Sequence, residues 1–155
     1  MNLEFRQASE KDIPGLVELL ADDELGATRE DISQPLNQRY LDAFHSIDQD
    51  PNNELIIVEH DGELVGMLQL TFIPYLTHTG SRRCLIEGVR IANSSRGQGL
   101  GRKFIEWAIE RATQANCSIV QLTSDKRRPD ALRFYESLGF EATHEGFKLK
   151  IEGID

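Results

Sequence analysis

The chain has 155 residues, 39% of them hydrophobic and 28% charged, and its 26 acidic side chains against 17 basic ones leave a net charge of −9. That length carries one domain, residues 1–155, with a real core, and no run approaches the ~18 apolar residues of a membrane helix. The acidic balance excludes a general nucleic-acid binder, which would carry a basic footprint.

The first residues, Met1-Asn2-Leu3-Glu4-Phe5-Arg6, lack the basic flank and apolar core of a secretion signal. Residues 3–8 alternate as an edge strand. Ser9-Glu10-Lys11-Asp12 has the form of a capping box, and Ile13, Leu16, Val17 and Leu20 follow at helical spacing. Pro14 falls in the first turn, where it does not break the helix. A second helix is predicted around residues 35–48, on Leu36, Tyr40, Leu41, Phe44 and Ile47. Residues 50–53 are turn chemistry. A strand over 54–60, an Asp61-Gly62 hairpin and a returning strand over 63–72 follow, with Gly66 marking a bulge. Residues 73–81 read as a long loop.

The next stretch organises the chain. Leu85 to Ile91 is a strand, and from Leu100 the apolar residues Phe104, Ile105, Ala108, Ile109 and Ala112 define a helix that ends near Asn116. Between them lie Arg96, Gly97, Gln98, Gly99, Leu100, Gly101 and Arg102. Gly-x-Gly-x-Gly is neither the dinucleotide fingerprint nor the P-loop. Taken alone, the turn is either a plain strand-to-helix connection or a cradle in which glycines let backbone N–H groups at a helix start approach a pyrophosphate. Arg96, Arg102 and Lys103 make the locality basic within an acidic chain. A buried strand follows over 118–123. A helix over 130–138 comes next, with Pro129 in its first turn and Gly139 at its C-terminal cap, and residues 140–151 are predicted to supply two last strands.

Arg96-x-x-Gly99-x-Gly101 after a strand and opening an amphipathic helix resembles the acetyl-coenzyme A loop of the GNAT superfamily of N-acetyltransferases. Ala131-x-x-Phe134-Tyr135-x-x-x-Gly139-Phe140 resembles that superfamily's second signature, one helix and one strand later. The element order agrees along nearly the whole chain. The resemblance implies an α+β fold with a central, mixed, mostly antiparallel sheet of about seven strands and helices on both faces. It implies transfer of an acetyl group from acetyl-coenzyme A to a primary amine, small molecule or peptide, by direct transfer in a ternary complex. The alternative is a non-catalytic acyl-coenzyme A sensor that keeps the loop without an acceptor.

Amide formation requires that something take the proton of an amine that is ~99.9% protonated at neutral pH. It also requires a donor for the developing oxyanion and a proton for the departing thiolate. In the family a carboxylate acting through water, a backbone N–H on the strand before the glycine turn, and a tyrosine commonly fill these roles. By resemblance Tyr135 is the acid and Glu87 the base, Glu87 lying two residues before Val89 and so on the same side of an unbroken strand. Its alternative role is a structural carboxylate paired with Arg82, Arg83 or Arg90. Val89, Arg90 and Ile91 are expected to hold the pantetheine arm, Gln98 to Arg102 the pyrophosphate, and Phe134 to contact the cofactor. Arg128 stands where the family often has asparagine, so it reaches a cofactor phosphate or is merely solvated. Tyr75, His78, Asp22, Asp23 and Glu24 are candidates for an acceptor pocket.

His45, His60, His78 and His144 are scattered, and Cys84 and Cys117 make no metal or redox spacing, so no metal is expected. A reduced, cytoplasmic enzyme is the expectation, with homodimerisation through the terminal strands.

Overall fold

The computed structural model describes residues 2–128 and 130–154. It divides into two compact units, one up to Leu122 and one from Thr123.

In the first unit, β1 (Leu3–Gln7) leads through a 3-10 turn into α1 (Ile13–Ala21), and the Asp12 carboxylate accepts from the Ser9 N–H at 2.7 Å, closing the capping box. A single turn α2 (Glu24–Ala27) and α3 (Gln38–Gln49) precede β2 (Asn53–His60), β3 (Glu63–Pro74), a turn α4 (Thr77–Gly80) and β4 (Arg82–Ile91). α5 (Leu100–Gln114) and β5 (Ile119–Leu122) complete the unit. Asp61 and Gly62 both take positive φ, as a two-residue hairpin turn requires.

The sheet has five strands in the order β1-β2-β3-β4-β5, antiparallel except for the parallel β4–β5 pair. Alternation separates its faces. Ile56, Val58, Leu68, Leu70, Cys84 and Ile86 are buried on the face that also carries Phe5, Glu54 and Phe72. α5 covers it: Phe5 packs on Phe104 and stacks on Trp107, both at 5.6 Å, and Arg111 of α5 binds Glu54 of β2 through two bonds of 2.8 and 2.6 Å. The opposite face lays Ile57 and Met67 under Ile13, Leu16, Val17 and Phe44 of α1 and α3.

Gly66 sits where the ladder slips, between Val58 and Glu59 of the partner strand; a Cβ there would meet Val58 Cγ1 at 2.7 Å. The glycine thus admits a close approach as well as marking the bulge.

The second unit contains α6 (Ala131–Ser137). Gly139, at φ 97°, ends it, with Phe140 N–H bonding Tyr135 C=O at 3.1 Å, a left-handed C-terminal cap as expected. The role expected of Pro129 lies outside the described residues. The two strands expected over 140–151 are absent among the described residues, leaving five strands and not about seven. The alternation is there, in Phe147, Leu149 and Ile151, but all three are exposed. A strand exists through its neighbour's ladder bonds, and alternation without a ladder does not make one.

No described helix is long and apolar enough to cross a membrane, and no group of three or more potential metal ligands occurs among the described residues.

Candidate active site

β4 passes from a fully paired strand into a half-paired one. Its parallel ladder with β5 ends at Ile86–Leu122, while its antiparallel ladder with β3 continues to Ile91–Gly66. From Glu87 to Ile91, therefore, no strand among the described residues pairs with one edge of β4. The β3 ladder is broken here too, between Met67 and Gln69, where Gly88 adopts φ 64°. Two residues, Gly88 and Val89, stand against Leu68 alone, the signature of a bulge.

This bulge corrects the expected side-chain arrangement. Gln69 pairs with Glu87 and Met67 with Arg90, so Arg90, and not Val89, shares the face of Glu87. The extra residue shifts the two-residue alternation by one step.

Glu87 is exposed. None of the three arginines expected as structural partners binds it among the described residues. Arg82 donates to Ala115 C=O at 3.0 Å, Arg83 Nη1 to Gln121 Oε1 at 3.1 Å, and Arg90 faces the Asp23 carboxylate at 3.6 Å. The carboxylate is exposed, on the sheet face that carries the half-buried Gln69, Leu85 and Arg83.

After β4, Asn93–Ser95 make a 3-10 turn, and Arg96 Nε returns to Ile91 C=O at 3.1 Å, tying the glycine turn to the strand's end. Gly97 and Gly99 take φ of 78° and 76°, the left-handed region that side chains resist. Gly99 is also the N-cap of α5, and no side chain caps the helix there. The first turn carries no acidic residue but does carry Arg102 and Lys103. Cations at the positive end of a helix are unfavourably placed, and an anion relieves both that repulsion and the orphan N–H groups. The Glu106 carboxylate already engages Arg102 at 3.1 Å.

In the second unit, Tyr135 packs edge-on against Phe134 at 5.1 Å and Phe140 at 5.8 Å, so the aromatic stripe of α6 is a packed cluster. The Arg128 N–H donates to Asp125 C=O, and Arg127 draws the Asp125 carboxyl far below its usual range.

Two of the acidic pocket candidates already have structural duties: Asp23 caps α2 and faces Arg90, and Asp22 accepts from Asn93 at 2.9 Å. Cys84 is fully buried and its thiol is pushed up to about 12 by that burial, so it is no nucleophile. Cys117 is raised in the same direction by burial. His45 bonds Glu10 and His60 approaches Asp61.

The model of the acetyltransferase (GNAT) family matches residues 15–140. The chain belongs to the GNAT family. Among its relatives is an aminoalkylphosphonate N-acetyltransferase from Salmonella typhimurium, 33% identical over 110 residues that cover 71% of each protein. A glucosamine 6-phosphate N-acetyltransferase from Trypanosoma brucei brucei is 34% identical over 90 residues, 58% of this chain and 59% of the relative. The crystal structure of a transcriptional regulator from Bacillus halodurans C-125 is 53% identical and superposes with a TM-score of 0.94, covering 97% of this chain and all of that one. This GNAT chain is an N-acetyltransferase whose acetyl donor is acetyl-coenzyme A and whose acceptor is an amine.

Sequence reasoning passed over two features of this site. The bulge at Gly88 left a signal in the glycine itself, a residue out of place in a strand interior. Arg83, weighed only as a partner for Glu87, instead stacks over the Tyr75 ring at 4.3 Å.

Proposed function

We propose that the chain works as a single domain that transfers acetyl directly from acetyl-coenzyme A to a small primary amine in a ternary complex. The observation that carries this reading is the pairing of a half-open β4 with an uncapped, cation-flanked α5 at the glycine turn. The residues suit the donor's chemistry. A pantetheine arm carries amides that can pair with the unladdered edge of β4 over Val89, Arg90 and Ile91 as another strand would, beside the arginine side chains that already reach the Val89 and Ile91 carbonyls at 2.8 and 3.1 Å. A pyrophosphate suits the turn from Arg96 through Gly97, Gln98, Gly99, Leu100 and Gly101 to Arg102. Phe134 and Arg128 complete the donor-binding set in this proposal, Phe134 by apolar contact and Arg128 as a cation for a phosphate.

Acetyl-coenzyme A supplies the acyl group as a thioester. Glu87 takes a proton from the acceptor ammonium through a water, freeing the nitrogen lone pair for attack on the thioester carbonyl. A backbone N–H on the bulged part of β4 donates to the carbonyl oxygen as negative charge builds there. As the C–N bond forms and the carbonyl is restored, the C–S bond breaks and the Tyr135 phenol gives its proton to the leaving sulfur. The second proton that the nitrogen sheds returns to the Tyr135 oxygen through solvent, and Glu87 releases the first to water.

A small-molecule acceptor is supported by the names of the two N-acetyltransferase relatives, each of which denotes a small amine. The same reading includes a homodimer in which a second copy covers the exposed Phe147, Leu149 and Ile151, which light scattering would register as twice the chain mass.

The test is a panel of small amines, polyamines, amino acids and lysine peptides, with free thiol release from acetyl-coenzyme A as the readout. Acetylation of small amines over peptides supports the proposal. Binding of acetyl-coenzyme A with no transfer to any amine refutes it and leaves a sensor.

A further inference from the structure

Among the described residues, Arg83 is a cation whose charge is left uncompensated. Its Nε is buried with no hydrogen-bond partner, and no carboxylate pairs with it among the described residues. Yet the guanidinium is not loose. The Tyr75 ring lies beneath it at 4.3 Å and Gln121 Oε1 holds Nη1 at 3.1 Å. Gln121 takes Nη1, so among the described residues Nη2 is left without an acceptor beside the closed-off Nε, and an anion meets Nη2 first and Nε as the packing over it yields. Two parallel N–H groups on one edge of a planar fork match two oxygens of one anionic group.

Its position gives that edge a meaning. Arg83, Leu85 and Glu87 alternate on the same face of β4, pairing with Ile73, Thr71 and Gln69 of β3. α1 and α3 cover Leu55, Ile57 and Met67 at the other end of this face. Four residues of strand separate the Cα atoms of Arg83 and Glu87 by about 13 Å, a span that the exposed Glu87 side chain can shorten while Arg83 stays held by Tyr75 and Gln121. A carboxylate and a guanidinium so spaced complement a small zwitterion, its ammonium toward Glu87 and its anion toward Arg83.

We propose that Arg83, braced by Tyr75 and Gln121, is the anion subsite of the acceptor site, so that the preferred acceptor is a short amine bearing a phosphate-like dianion. The proposal rests on the acetyltransferase reading above and on Glu87 marking the amine's end. The net charge of −9 does not oppose it, since the subsite needs one uncompensated guanidinium and not a basic surface.

The experiment measures kcat/KM for 2-aminoethylphosphonate and for phosphoethanolamine against ethanolamine, in the wild-type chain and in Arg83→Ala and Arg83→Lys. The expected result is a preference of at least ~10-fold for the dianionic amines, collapsing toward unity in Arg83→Ala and partly kept in Arg83→Lys. The two dianionic arms decide between a phosphonate and a phosphate ester as the better occupant. Methylphosphonate should inhibit competitively against the amine in the wild type and lose that effect in Arg83→Ala, a readout that needs no comparison of turnover. Equal use of neutral and dianionic amines by the wild type overturns the inference while leaving the acetyltransferase reading intact. A preference that survives Arg83→Ala overturns it too. If no amine at all is acetylated, the parent reading fails and this one with it.

Discussion

Replacing Glu87 with glutamine removes the proposed base while preserving size and polarity. Because Glu87 is exposed and engages no cation among the described residues, the substitution should change unfolding free energy by no more than about 0.5 kcal/mol. Turnover should respond very differently. An amine with a reference pKa near 10.4 is only ~0.1% neutral around pH 7.4, and a positioned base is worth roughly 10²- to 10⁴-fold, about 3–5 kcal/mol of barrier. The variant must wait for the pre-existing neutral fraction, which grows tenfold with each pH unit. Its deficit should therefore be largest near neutrality and shrink steadily toward pH 10, whereas the wild-type rate levels off earlier. Thiol release at saturating donor over pH 6–10, with thermal melting as a control, measures both. A glutamine variant with wild-type turnover and an unaltered profile would refute the assignment of the base. A large drop in melting temperature would mean that Glu87 supports the fold.

Tyr135→Phe should lower kcat strongly while coenzyme A affinity, read by calorimetry, stays near wild type; unchanged turnover removes the phenol from the reaction. Gly99→Ala should destabilise the protein by about 1–2 kcal/mol through its positive φ alone, because a Cβ there meets nothing within 4 Å; coenzyme A affinity should fall by ~10-fold as that Cβ enters the approach to the helix end. Asp12 is held down to about 2 by the Arg6 guanidinium, with the Ser9 N–H assisting. Its folded-state value lies below its unfolded one, so its stabilisation is complete above about pH 4 and disappears as pH falls through about 2. Asp12→Asn should accordingly lose roughly 1–2 kcal/mol at pH 7, and denaturation curves of variant and wild type should converge in acid.

The helices were legible because their apolar spacing is intact: α1, α3 and α5 lie where Leu16, Phe44 and Phe104 placed them. The hairpin was announced by Asp61-Gly62, and the helix opening by Gly99. Two things escaped. The alternation in Phe147, Leu149 and Ile151 promised strands, yet pairing is a relation between segments and no periodicity within one segment contains it. The side-chain facing of Val89 was misread because a single inserted residue at Gly88 inverts the parity of everything after it. Arg83 was visible as a charge, but whether a charge finds a counterion depends on what the other strands bring beside it.

The stretch from Glu87 to Ile91, laddered on one side only among the described residues, is also a hazard when nothing occupies it. Exposed ladder groups accept any extended peptide, including another molecule of the same protein. A bound donor would then act as a plug as well as a reactant: at one hundred times its dissociation constant it adds about 2.7 kcal/mol to the folded state and withdraws the sticky rim from solution. Preparations kept with coenzyme A should stay clear and monodisperse at concentrations where the ligand-free protein turns cloudy.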